Sequence, residues 1–177
     1  MEFDVLTAEL ARDPAFEATA AAVRHADRRA TIRVSARLKA SPERVFDAWL
    51  TPAIAGKWLF ATASRPMSRV TIDPRIGGAF RFVDRNDGDH IEYTGVYLES
   101  VRPRHLAFTV SVETQPRTVA RVAVEIVPLS RGGPAGCEIV VAHEDLPPEL
   151  ASRMEARWTG MLYGLGQVLA GARPQAR

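Results

Sequence analysis

Along this chain the spacing of apolar residues switches repeatedly between the helical and the strand period, and each switch marks an element. Residues 14–29, PAFEATAAAVRHADRR, read as a helix: Asp13 can cap it, Pro14 suits its first position, and alanine fills its interior. From Thr31 the period becomes two. Ile32, Val34, Ala36 and Leu38 alternate with Arg33, Ser35 and Arg37, as in a half-buried strand. SPERVFDAWL follows, with Ser41 as N-cap, Pro42 first in the helix, and Glu43 favouring the positive end of its dipole. Val45, Phe46, Trp49 and Leu50 share one face. Thr51-Pro52 ends this helix and is expected to cap a second short one carrying Ile54, Trp58 and Leu59.

Strands follow. Val70 and Ile72 lead into the turn DPRIGG, and Phe80 and Phe82 precede the hairpin signal DRNDGD. Residues 90–101 form a long strand closed at Arg102-Pro103. Leu106, Phe108, Val110 and Val112 alternate with polar neighbours, then come strands over Thr118–Val127 and Cys137–His143. Short turns between successive strands imply an antiparallel meander. From LPPEL a final helix of about 22 residues runs for roughly 33 Å. Leu150, Met154, Trp158, Met161, Leu162, Leu165 and Leu169 make its apolar stripe. Such a helix needs a surface of similar length, and a curved sheet of strands about 30 Å long supplies one. The fold class is α+β: about six or seven antiparallel strands around a long C-terminal helix, with two short helices after the first strand.

Composition narrows the class. Of 177 residues 46% are apolar and 25% charged, a globular balance. The net charge of +2 comes from scattered basic residues, without the basic stripe and interleaved aromatics of a nucleic-acid binder. The single cysteine, Cys137, excludes an intramolecular disulfide and fits a reducing compartment. The acidic start MEFDVLTAELARD does not read as a signal peptide, and no apolar run approaches the ~20 residues of a membrane span. The expected location is cytoplasmic.

The order of elements and the residues within them resemble the START-like, SRPBCC superfamily with its helix-grip fold. Within it the chain is similar to the bacterial branch of the activator-of-heat-shock-protein-90-ATPase homologue family. The stretches that carry the likeness are SPERVFDAWLTP, KWL, DPRIGGAFRF, DGDHIEYTGVYLESVRPRHLAFT, CEIVVAHEDLP and the terminal helix. They place a helix-grip domain at residues 30–171, after an N-terminal helical extension at 1–29 and before a tail at 172–177 expected to be disordered. The resemblance implies a cavity between sheet and helix that accepts hydrophobic molecules, and a possible role assisting a chaperone ATPase. Where such proteins often carry Gly-Trp in the last helix, Gly160 is followed here by Met161, and the nearest tryptophan is Trp158.

Candidate cavity residues follow from face and element. Phe80, Tyr93, Tyr97 and Phe108 come from the sheet, and Trp158, Met161 and Leu165 from the helix. Trp58, after Gly56 near a helix end, is better placed to reach the interior than Trp49, and plain packing is the competing reading for both. His143 shares a face with Cys137, Ile139 and Val141 and points inward. It is either a histidine satisfied by backbone or a group that orients a ligand or acts as a base. The hydroxyls of Tyr93 and Tyr97 either anchor a ligand or simply pack, and Gly95 between them suggests a bulge or a close approach.

Catalytic signatures are missing. There is no G-x-S-x-G elbow, and GLGQVL follows a helix and has Leu169 in the third glycine's place. His25, His90, His105 and His143 show no metal-ligand spacing. Cys137 and His143 lie roughly 20 Å apart on one strand, too far to form a nucleophile pair. The readings are therefore, in order, a binder of a small apolar or amphipathic molecule, a protein-binding module, and a cyclase- or hydrolase-type enzyme. No cofactor or metal is expected. Finally, Ser152, Ala156, Gly160 and Gly164 recur every four residues on the back of the terminal helix. Helical glycines cost about 0.8–1 kcal/mol each, so this small-residue seam is expected to pack against Ala15, Ala18, Ala22 and Ala26, within one chain or across a homodimer.

Overall fold

The computed structural model describes residues 29–61, 65–86, 89–114, 119–129 and 136–171. Strand β1 (Ala30–Leu38) is followed by helices α1 (Pro42–Leu50) and α2 (Pro52–Ala55). Six strands come next: β2 (Arg69–Ile72), β3 (Ala79–Asn86), β4 (Asp89–Val101), β5 (His105–Val112), β6 (Val119–Pro128) and β7 (Cys137–Leu146). A single 3-10 turn, Pro148–Leu150, then leads into α3 (Ala151–Gly171). The expected N-terminal helix (but for Arg29) and the tail at 172–177 lie outside the described residues.

All seven strands form one antiparallel sheet in the order β1-β7-β6-β5-β4-β3-β2, so the meander from β2 to β7 ends beside the first strand. Period-two patterning sets the faces. On β6, Val122, Val124 and Ile126 are buried on the helix side, while Arg121, Glu125 and Val127 face outward. The sheet wraps α3, which is roughly 32 Å long and buries Trp158, Met161, Leu162, Leu165 and Leu169 against it. This is the helix-grip fold that the resemblance implies, with the element order that the spacing predicts. Among the described residues no helix is long and apolar enough to cross a membrane.

Local chemistry places the short helices. The Ser41 hydroxyl accepts from the Arg44 amide at 3.4 Å, capping α1 as expected. From the same first turn, the Arg44 guanidinium donates to the Leu169 carbonyl at 3.0 Å, tying α1 to the last turn of α3. Thr51 occupies the N-cap position of α2 but makes no side-chain cap bond, because its hydroxyl turns back to the Asp47 carbonyl at 2.8 Å. Helix α2 is only four residues long, so Trp58 and Leu59 lie in the turn after it rather than on it. Strand β7 also runs three residues past the expected end at His143, to Leu146.

Two glycine sites behave as the sequence suggests. Gly77, in the turn before β3, has φ +79°, a left-handed conformation that glycine adopts without strain. Gly95 pairs with Phe80 across β3 and β4, and a Cβ there would stand 2.5 Å from Phe80 Cζ and 1.8 Å from the Thr109 carbonyl. Gly95 therefore marks a close approach, and a register shift between β4 and β5 also follows shortly after it, at Tyr97/Glu99.

Candidate functional site

The three tryptophans meet. Trp49 and Trp58 pack edge to face with centroids 4.6 Å apart, Trp158 lies 6.1 Å from Trp49, and each is only 1% exposed. Trp58 also donates its indole N–H to the Ala48 carbonyl at 3.3 Å. Trp49 and Trp58 thus tie α1 to the segment after α2, as core packing. Trp158 also borders the cavity between α3 and the sheet.

That cavity, about 60 Å³, lies between the first half of α3 and the inner face of the sheet. Val110, Val112 and Ala120 form its sheet wall, Leu146, Pro147 and Leu150 its end, and Met154, Arg157, Trp158 and Met161 its helix wall. Phe60 closes another side. It sits beyond α2 at φ +59°, a left-handed conformation uncommon outside glycine, and its amide donates to Met161 Sδ at 3.2 Å. Its ring stacks on Tyr93 at 4.5 Å with the planes 2° apart. The resulting wall is aromatic on one side and has two methionines on the other.

Three polar side chains interrupt this apolar lining: His143, Tyr93 and Arg157. His143 is 4% exposed, and its Nδ1 accepts from Trp158 Nε1 at 2.9 Å. An indole nitrogen only donates, so the imidazole proton resides on Nε2. That Nε2 is buried without a partner. Burial holds the ring's pKa down at about 4, so at neutral pH it is uncharged. With Nδ1 occupied and Nε2 protonated it has no free lone pair, so in this arrangement it is a donor rather than a general base. Of the three expectations for this residue, backbone satisfaction and a free base do not describe its bonding, which leaves a group that could orient a ligand. Tyr93 accepts a hydrogen bond from Arg157, whose guanidinium carbon also lies 5.1 Å from the Tyr93 ring centroid.

Of the nine residues singled out from the sequence, Tyr93, His143, Trp158 and Met161 border this cavity. The other five do not. Phe80 lies over Gly95, Tyr97 and Phe108 pack around Phe80, Trp58 packs on Trp49, and Leu165 sits one turn beyond Met161. All five are buried in the core. Desolvation there raises the pKa of the Tyr97 phenol. Cys137 is fully buried, and burial likewise pushes its thiol up, away from reactivity.

Sequence reasoning missed Phe60, whose position depends on a loop conformation that no periodicity encodes. It also missed Arg157, although a signal was present: a cation lying between Met154 and Met161 on the apolar stripe. A third feature escapes any sequence spacing because it crosses strands. His90, Glu92 and Glu113 bring ligand-type atoms within 4.8 Å of one another on the outer face. Glu92 is already engaged there by Arg81. On the back of α3, a Cβ on Gly160 would meet nothing within 4 Å among the described residues, whereas one on Gly164 would touch Trp58 at 3.6 Å. Gly164 therefore approaches the core, and the proposed partner helix lies outside the described residues.

Comparison with solved structures recovers the same architecture. Protein CV1439 from Chromobacterium violaceum matches with a TM-score of 0.66 at 26% identity, over 78% of this chain and 96% of that one. SA2116 from Staphylococcus aureus, described as a protein of unknown function, matches with a TM-score of 0.70 at 19% identity, over 81% and 94%. CalU16 from Micromonospora echinospora matches at 0.57 and 20% identity, over 80% of this chain and 76% of that one. Among curated proteins, none matches the sequence. The family model described as Activator of Hsp90 ATPase homolog 1-like protein matches residues 39–170, from just after β1 to the last turn of α3. With that match spanning most of the chain and every element of the grip in place, the protein belongs to the Activator of Hsp90 ATPase homolog 1-like family.

Proposed function

We propose that the protein is a binding module that holds a small apolar or amphipathic molecule between the first half of α3 and the sheet. The observation that carries this reading is the unpaired, 4%-exposed His143 on the wall of an otherwise apolar cavity. A buried donor without a partner costs about 1–3 kcal/mol, and a ligand acceptor would offset that cost. At about 60 Å³ the cavity is well below the roughly 300 Å³ of small ligand pockets, so binding requires the wall to move. Met154 and Met161 supply that freedom, being unbranched with three rotatable bonds each. Native mass spectrometry of freshly purified protein, with its organic extract, tests the reading. A reproducible extra mass released on denaturation supports it. No adduct, and no binding from a panel of apolar molecules, would overturn it.

The same small volume favours a second reading, in which the surface acts and the family's name describes a chaperone ATPase as partner. Val96, Leu98 and Val101 of β4 stand exposed on the sheet and offer apolar contact. Stimulation of a purified Hsp90-type ATPase by this protein, lost on L98D, would support that reading. Unchanged ATPase activity would remove it.

A further inference from the structure

The polar side chains of the cavity are all donors. Arg157 brings five N–H groups, and among the described residues no carboxylate pairs with it. Tyr93 already accepts from Arg157, which leaves the phenolic proton to be given away. His143 offers Nε2–H, with Nδ1 closed by Trp158. The lining contains no Asp, Glu, Asn, Gln, Ser or Thr, and hence no free side-chain acceptor of the usual kind. A molecule satisfying these side chains must bring acceptor oxygens, and a negative charge would complement the one cation at the site.

Resting on the binding reading above, we propose that the cavity selects compact apolar monocarboxylates. The acid group is taken at the rim by the Arg157–Tyr93 pair, and the apolar body lies against Phe60, Trp158 and the two methionines. Arg157 suits this role because its planar fork matches a carboxylate bidentately. The contact with the Tyr93 ring also holds it at the cavity before any ligand arrives. His143 stays neutral above about pH 4, so it adds a hydrogen bond without a second charge. An amine ligand would face a cation and two further donors and is excluded by the same set.

Isothermal titration of the full chain with hexanoate and benzoate, against hexanol, benzyl alcohol, benzylamine and toluene, tests this. The acids are expected to bind at least about tenfold more tightly than the matched alcohols, with no measurable amine binding. R157Q should bring the acid-to-alcohol ratio close to one, and R157K, which keeps the charge but not the fork, should leave an intermediate ratio. If R157Q fails to fold, as judged by its melting temperature, the R157K ratio decides. Equal affinity for acids and alcohols, or an acid preference that survives R157Q, overturns the carboxylate assignment and leaves the apolar binding reading standing. If acids, alcohols and toluene all fail to bind, both fall together.

Discussion

The indole N–H of Trp158 on α3 reaches Nδ1 of His143 on β7 across 2.9 Å, and both rings are almost completely buried. One bond thus joins helix to sheet at the cavity wall and decides which imidazole nitrogen carries the proton. Trp49, equally buried and 6.1 Å from Trp158, has no partner for its indole nitrogen. Two tryptophans of one cluster therefore stand in opposite hydrogen-bonding states.

That difference gives a matched pair of substitutions. W158F removes ring volume and leaves His143 Nδ1 buried without a donor, so it should cost about 2–4 kcal/mol in urea unfolding. W49F removes the same volume together with an N–H that bonds to nothing, so it should cost less. A larger loss for W49F than for W158F would contradict the bonding described.

His143 also makes stability depend on pH. Its pKa falls from an ordinary 6.5 to about 4 on folding, because burial penalises the charged ring. Between these values the unfolded chain binds the proton and the folded chain does not, so stability rises with pH. The contribution is fully present above 6.5 and is lost as pH falls toward 4, on the order of 3 kcal/mol in all. Urea midpoints measured from pH 4 to 8 should show this slope in the wild type, and H143Q should flatten it across the same window.

Gly95 leaves no space for a side chain. A methyl group at that position meets the Phe80 ring and the Thr109 carbonyl at distances no relaxed structure tolerates. G95A should lower stability by several kcal/mol. Trimming the ring in G95A/F80L should restore only part of it, because the backbone carbonyl remains. Full rescue would place the clash on Phe80 alone.

The surface pair Asp47–Arg102, bidentate at 2.8 Å, links α1 to the turn after β4. Hydrogen bonding from Arg102 lowers the Asp47 pKa below its ordinary 3.8, against an opposing desolvation. Its contribution is therefore present above pH 3.8 and fades as pH falls through the lower folded value. Both side chains are about half exposed, so D47N should cost no more than about 1 kcal/mol at pH 7. Thermal melts at pH 7 and pH 3 should show the difference narrowing at the lower value.

The grip itself was legible because it is written in periods: two for β1 and β3–β7, 3.6 for α1 and α3, with Ser41-Pro42 opening α1. Period also selected inward-facing residues, but a curved sheet has more inward positions than a small cavity has walls. Phe80, Tyr97 and Phe108 face inward and still belong to the core, whereas Tyr93 and His143 border the cavity. Part of the cavity wall comes from Phe60, which follows α2 and stacks on Tyr93 while its amide reaches Met161. Its left-handed backbone leaves no trace in hydrophobic patterning. Arg157 was hidden for a different reason: an arginine among helix residues is ordinarily read as solvated.

The chain has four methionines, and two of them, Met154 and Met161, line the cavity, while Met67 borders a separate surface groove beside Gly56 and Val70. Methionine methyl groups labelled with carbon-13 therefore report on the cavity with an internal control. Titration with benzoate, hexanol and toluene should shift the Met154 and Met161 signals saturably and leave Met67 in place. If the two cavity methyls stay fixed throughout, or move only together with Met67, the cavity is not the binding site and the protein acts through its surface.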